Sequence, residues 1–317
     1  MARRILFVTA SRIGDAVLST GVLAHLAASH PDAKFTVACG APAAALFAPA
    51  PFVERVIPMV KRRRAGHWFD LWKATAGTWW SMVVDLRGSA LAWAVPTAKR
   101  RVLKSSWAPK HRLAHLASAL GMTEPLPPVL WNTPAQTALA ERLVPTGSPV
   151  LAVGPTANWG AKQWPAERFA EVAARLTALD GVLPGARVAV FASEAERAAA
   201  APLLASLPAE RRLDLVGMPD LAMVHACLTR CALYLGNDSG LMHIAAAAGI
   251  PTLGVFGPSS ELFYGPFGRR CASVRGPRSF EDICHAADYD YRSHDCMMLD
   301  LDAARVTAAA EALWRDR

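Results

Sequence analysis

The chain has 317 residues, 53% of them hydrophobic and 19% charged, with 34 Lys and Arg against 26 Asp and Glu for a net charge of +8. This excludes a disordered chain, which would be polar and highly charged, and a small disulfide-stapled scaffold, because this length buries a large core. The charge is uneven: residues 1–147 hold 18 basic and 7 acidic side chains, a net of +11, and residues 148–317 hold 16 and 19, a net of −3. Only the first half is therefore suited to an anionic partner: nucleic acid, a membrane surface or a phosphorylated substrate.

Short apolar runs alternate with amphipathic or Ala-rich segments. The pattern predicts strand Ile5–Ala10, helix Ala16–Ser29, strand Lys34–Cys39, a short helix Ala43–Ala48 and strand Val53–Met59. Strand Ser81–Leu86, a short strand Arg101–Lys104 and helix Arg112–Leu120 follow. After prolines at 125, 127, 128 and 134 come helix Ala135–Leu143 and a linker, Pro145–Pro149. A second series runs strand Val150–Gly154, helix Ala166–Leu179, strand Arg187–Ala192, helix Glu194–Leu207 and strand Leu213–Val216. It continues with helix Leu221–Cys231, strand Leu233–Gly236, helix Gly240–Ala248, strand Pro251–Phe256 and a last helix, Ala303–Trp314. Strands such as Met82–Asp85 are apolar almost throughout, which fits parallel sheets covered on both faces. Two doubly wound α/β domains are expected, 1–147 and 148–302, with ligands beyond the carboxyl ends of the strands and a site in a cleft between them.

The basic, then apolar start of the chain imitates a signal peptide, but Arg12 and Asp15 follow at once, so it reads as a first strand. No stretch approaches the ~18 apolar residues of a membrane span. The six cysteines show no framework spacing, as expected of reduced thiols in a cytoplasmic protein.

Gly14-Asp15 follows the first strand and opens a helix. Asp15 is either a carboxylate favoured there by the helix dipole or a general base aimed into the cleft. The loop Gly154–Pro165 contains Thr156 and Lys162, the only lysine after Lys110. Lys162 is either a solvated loop cation or a compact point charge chosen for an anion. In Gly236–His243 a strand ends in a tight turn, and Asp238, Ser239 and Gly240 start an Ala-rich helix whose N–H groups suit phosphates, with His243 close by. Ser239 fits a cap or a phosphate contact; with no Gly-x-Ser-x-Gly elbow, a serine hydrolase is not supported. Glu194 and Glu196, past a mid-domain strand, either accept ribose hydroxyls or simply begin a helix.

Basic runs at Lys61–Arg64 and Lys99–Arg101, then Lys104, Lys110 and Arg112, are interleaved with Trp68, Trp72, Trp79, Trp80, Trp93 and Trp107. That mixture suits an anionic membrane interface, phosphate contact with nucleic acid, or a merely solvated face. No nucleic-acid motif accompanies it. Asp288/Asp290, Asp300/Asp302, Cys284/His285 and His294/Cys296 lack regular metal-ligand spacing, so no metal and no cofactor is expected.

Together Arg12-Ile-Gly14-Asp15, Gly154…Lys162-x-Trp164-Pro165, Glu196, Asn237-Asp238-Ser239-Gly240-Leu-Met-His243 and the Gly-Val-Phe-Gly-Pro258 run resemble the glycosyltransferase family of the lipopolysaccharide heptosyltransferases. The resemblance implies a GT-B fold of two facing Rossmann-like domains, with helix 303–317 returning to the first domain. It implies inverting, metal-independent transfer from a nucleotide sugar, typically ADP-heptose. Asp15 would be the base and Lys162 would neutralise the leaving diphosphate. Thr156, Asp238, Ser239, Gly240 and His243 would hold phosphates and Glu196 the ribose. The acceptor, an anionic glycolipid at the inner membrane surface, is expected to meet Gly14, Arg62, Arg63, Arg64 and Arg101. The competing expectations are a related transferase with another nucleotide sugar or a non-lipid glycan, and a nucleotide- or nucleic-acid-binding protein.

Overall fold

A computed structural model of the chain describes residues 3–106, 108 and 110–316; Trp107, part of the basic and aromatic run, lies outside the described residues. Two compact units divide the chain, 1–133 and 134–317.

The first unit runs β1 (Arg4–Val8), α1 (Ile13–Ser29), β2 (Lys34–Gly40), β3 (Val53–Met59), α2 (Gly66–Thr75), β4 (Met82–Asp85), α3 (Leu91–Ala94), β5 (Arg100–Val102) and α4 (Arg112–Ala117). Its five strands are all parallel in the order β3-β2-β1-β4-β5. Ile5, Leu6, Phe7 and Val8 of the central strand are all buried, as expected where helices cover both faces. Val8 pairs with Ala38 on one side and Asp85 on the other; β1 and β4 end level, β2 runs two residues further, and the β1–α1 loop emerges at their carboxyl edge. The helix α1 begins at Ile13, ahead of the expected Ala16, which puts Asp15 inside its first turn.

The second unit runs α5 (Pro134–Leu143), β6 (Val150–Gly154), α6 (Ala166–Leu176), β7 (Arg187–Val190), α7 (Arg197–Ser206), β8 (Arg212–Asp214), α8 (Leu221–Leu228), β9 (Leu233–Asn237) and α9 (Gly240–Ala247). It ends with β10 (Thr252–Phe256), α10 (Glu261–Tyr264), β11 (Cys271–Arg275), α11 (Phe280–Cys284) and α12 (Ala303–Arg315). Its parallel sheet has the order β11-β10-β9-β6-β7-β8. In α6 the buried residues Phe169, Val172, Ala173 and Leu176 recur at helical spacing, and Trp164 meets Phe169 edge to face at 4.9 Å.

The limit of the first half differs from the expected one. The first half was expected to extend to residue 147, but α5 packs on α8 and buries Ala140 there, so the division falls at Thr133 and Pro134. Val306, Ala310 and Leu313 of the last helix enter the core of the second unit, where α12 lies on α6, β10 and β11. Asp302 starts it by accepting from Arg305 N at 2.7 Å.

Candidate active site

In the first unit, Asp15 stands beside an arginine. Arg112 Nε lies 3.4 Å from Asp15 Oδ1, both side chains being about four-fifths buried. Arg112 Nη1 is 2.8 Å from His115 Nδ1, and His115 Nε2 is 2.9 Å from the Lys104 carbonyl oxygen. A carbonyl only accepts, so His115 carries its proton on Nε2 and its Nδ1 accepts from Arg112. These contacts set a guanidinium beside Oδ1, with no hydrogen bond from Nε, and leave Oδ2 unengaged among the described residues. Arg112 is the functional neighbour that sequence reading missed. It stood among the basic residues, and nothing at a separation of 97 positions marked it as the partner of Asp15.

Asp85, at the end of β4, is fully buried and fully used: Oδ1 accepts from Arg87 N and Oδ2 from Ser89 N, both at 2.8 Å. It shapes the turn and presents no free carboxylate. The expected acceptor-side basic residues do not form one group. Arg62, Arg63 and Arg64 follow β3, whereas Arg101 lies in β5 at the other edge of the sheet. Arg62 pairs with Asp70 at 2.6 Å. Arg64 and Ala65 have φ of 52° and 58°, a left-handed conformation that costs side-chain-bearing residues roughly 1–2 kcal/mol each.

In the second unit, the β6–α6 loop and the β9–α9 turn meet at the carboxyl edge of the sheet. Lys162 Nζ lies 2.5 Å from Asp238 Oδ2, and Asp238 is only 6% exposed. Asn237 staples the two segments: its Oδ1 accepts from Trp164 N at 3.1 Å and its Nδ2 donates to the Pro155 carbonyl at 2.8 Å. Thr156 and His243 are buried beside them, on the loop and on α9. Ser239 occupies the N-cap position of α9 yet makes no cap hydrogen bond, and its Oγ is buried without a partner. The first N–H groups of α9, opened by Gly240, are thus directed at a place where an anion is favoured.

The loop carrying Lys162 rests on a late segment of the chain. Trp159 Nε1 donates to the Ser293 carbonyl at 2.8 Å, Met297 N to the Ala161 carbonyl at 3.1 Å, and Trp164 Nε1 to the Leu301 carbonyl at 3.0 Å. Gly160 is required here, because a methyl group on it would collide with the His294 carbonyl.

Glu196 forms a capping box with Ser193, whose N and Oγ both donate to Glu196 Oε2, at 3.0 and 2.6 Å. Its carboxylate therefore starts a helix through Oε2. Glu194 is bound by Arg197, which holds its carboxyl below the usual carboxylate range. Among the described residues no group of three or more His, Cys, Asp or Glu is arranged to hold a metal ion.

Each unit thus carries polar groups at its strand carboxyl ends: a carboxylate beside an arginine in the first unit, and in the second a lysine with a helix N-terminus. Residues 59–285 match glycosyltransferase family 9 (heptosyltransferase). The chain is 26% identical over 313 residues to lipopolysaccharide heptosyltransferase 2 of Salmonella typhimurium, covering 86% of this chain and 88% of that one. It is similar in structure to a family 9 glycosyl transferase from Veillonella parvula (TM-score 0.82, 20% identity, 99% and 98% of the two chains covered). It is similar, too, to ADP-heptose lps heptosyltransferase II of E. coli (TM-score 0.73, 23% identity, 98% of each chain covered). A family match over most of the chain, on a fold shared end to end with these proteins, makes this chain a glycosyltransferase belonging to family 9, the heptosyltransferase family.

Proposed function

We propose that the protein transfers a heptose from ADP-heptose to the core of a lipopolysaccharide or a related phosphorylated glycolipid, with inversion and without a metal. The observation that carries the reading is the Lys162–Asp238 pair beneath the N-terminus of α9. A lysine and a helix end can absorb the charge of a departing diphosphate. The names of the Salmonella and E. coli relatives point to lipopolysaccharide and to ADP-heptose.

In this mechanism Asp15 Oδ2 takes the proton of the acceptor hydroxyl while Arg112 stands beside Oδ1. The acceptor oxygen bonds to the anomeric carbon from the face opposite the leaving group. The bond from that carbon to the diphosphate oxygen breaks, and its electron pair leaves with ADP. Lys162 exchanges part of its contact with Asp238 for the diphosphate, and Ser239, the α9 N–H groups, Thr156 and His243 complete the phosphate side. Glu196 offers Oε1 to the ribose while Oε2 keeps the helix start.

The acceptor brings the enzyme to the inner membrane surface, from the cytoplasmic side. Residues 60–104 carry ten basic and two acidic side chains, and one of the two acids, Asp85, is buried. Phe69, Trp79 and Trp93 are all more than half exposed, and Lys73 lies over the Phe69 ring at 4.6 Å. Exposed aromatic rings among cations suit anionic lipid headgroups. No helix among the described residues is long and apolar enough to cross a membrane.

Thermal stabilisation by ADP, UDP, GDP and CDP, each with EDTA, tests the reading. Ligand at 100 times its Kd adds about 2.7 kcal/mol. A shift with ADP alone supports it, a shift with another diphosphate removes ADP-heptose as donor, and no shift with any of them removes the donor site.

A further inference from the structure

The helix α4 buries Leu113, Leu116 and Ala117 and packs against α1. Its start is set by His111, whose Nδ1 accepts from Leu113 N at 3.2 Å. Arg112 therefore stands at the first helical position, where the helix dipole disfavours a cation. His115 follows three residues on, along the same face. Two side chains support the guanidinium there, the Asp15 carboxylate from α1 and the His115 imidazole from α4 itself.

Their contacts are unequal. Nη1 of Arg112 makes a full hydrogen bond to His115 Nδ1 at 2.8 Å. Nε lies 3.4 Å from Asp15 Oδ1 and, though buried, donates to nothing among the described residues. A guanidinium beside a carboxylate ordinarily closes a fork of two bonds with N···O of about 2.7–2.9 Å. A buried N–H without an acceptor is costly, and here a carboxylate oxygen stands just beyond its reach. What keeps the two apart is the imidazole. Its Nε2–H donates to the Lys104 carbonyl at 2.9 Å, which ties the ring to the segment after β5 and leaves the lone pair on Nδ1. With Nη1 bonded to that lone pair, the end of the guanidinium is unavailable for a fork on Asp15.

We infer that His115 is a positioning residue for the base: by engaging Nη1 of Arg112 it prevents the guanidinium from closing a two-bond ion pair on Asp15. A carboxylate gripped by two N–H groups is stabilised as the anion and takes a proton poorly. One flanked by a guanidinium that bonds elsewhere keeps its lone pairs for the acceptor hydroxyl. The imidazole acts through Arg112 alone. The inference rests on the assignment of Asp15 as base in the function proposed above.

The test is steady-state transfer from ADP-heptose to lipopolysaccharide with a truncated core, read as ADP release by the full chain, with ADP affinity and Tm measured in parallel. Wild type is compared with H115L, H115N and H115L/R112M. In H115L the guanidinium is expected to close on Asp15, so that kcat falls about tenfold while ADP affinity is unchanged. Leucine is close to the imidazole in size and favours a helix; if Tm shows H115L to be unfolded, H115A takes its place. H115N sets an amide oxygen where Nδ1 stood and is expected to recover kcat to within about threefold of wild type. H115L/R112M is expected to turn over faster than H115L, because loss of the guanidinium frees the carboxylate; a merely structural histidine requires a double variant at least as slow. Wild-type kcat in H115L overturns the inference, as does a double variant no faster than H115L or an H115N as slow as H115L. In each case turnover by wild type leaves the proposed function standing. A wild type that transfers no heptose removes both.

Discussion

Replacing Lys162 by methionine leaves the Asp238 carboxylate, 6% exposed, without its cation. At 2.5 Å, an effective dielectric near 20 puts the gross attraction at roughly 7 kcal/mol, most of it offset by the desolvation of both ions. Breaking one side of a buried pair costs about 3–5 kcal/mol when the survivor has nowhere to go. Here the lysine end is 22% exposed, so water reaches the pair, and the N-terminus of α9 favours a carboxylate. The expected loss for K162M is therefore about 2–3 kcal/mol. For a unit of this size that is a fall in Tm of roughly 4–12 °C. The converse variant, D238N, leaves a cation that can turn toward solvent, and should cost about 1 kcal/mol or less. The double variant K162M/D238N leaves neither charge and should recover at least half of the K162M loss. Thermal melts of the four proteins without nucleotide measure the cycle. Equal stability of K162M and wild type, or a double variant as unstable as the sum of the singles, would refute the view that the lysine neutralises a buried carboxylate.

Other outcomes follow from the same geometry. D15N should lower kcat by about 10²–10⁴-fold while ADP affinity stays within roughly twofold; turnover near wild type would remove the base from Asp15. His225 is buried in α8 and its pKa is pushed down to about 4 from 6.5. The unfolded chain therefore binds a proton that the folded one refuses between those values. Stability should be unaffected by this group above pH 6.5 and should fall by up to about 3 kcal/mol as pH drops toward 4. Urea midpoints at pH 7, 5.5 and 4.5 should show that slope flattened in H225Q, and an unchanged slope would show that the imidazole titrates normally. F69S/W79S/W93S should pellet with phosphatidylglycerol vesicles at least tenfold less than wild type, which should itself be released by high salt. Wild-type chain that ignores anionic vesicles would remove the membrane face.

What could be read from the sequence was what burial on both sides of a sheet writes into it. β1, β6, β9 and β10 are apolar runs because helices cover both faces, and each was legible. The strand β11 was not: it is an edge strand in which only Val274 is buried. Nor was α2, whose buried stripe is reduced to Leu71 and Thr75 by the aromatic residues it exposes. The polar residues of the second unit were legible as two loops following strands, but the bond between Lys162 and Asp238 joins positions 76 apart and has no local signature. The carboxylate of Glu196 left two readings open at sequence level, and Ser193 shows that one of them operates through Oε2. The limit of the first half was misplaced because Pro145–Pro149 looks more like a linker than Thr133–Pro134 does. What decides the matter is the docking of α5 on α8, a contact between distant segments.

The rest beneath the Lys162 loop has a consequence for biosynthesis. Trp159 and Trp164 take their partners 134 and 137 residues downstream. A nascent chain can complete the six-stranded sheet as far as β11 while the loop still lacks the carbonyls of Ser293 and Leu301. The lysine therefore acquires its fixed position only after the segment 293–301 has emerged. Chains that stop short of it would contain a formed six-stranded sheet with a loose Lys162 loop.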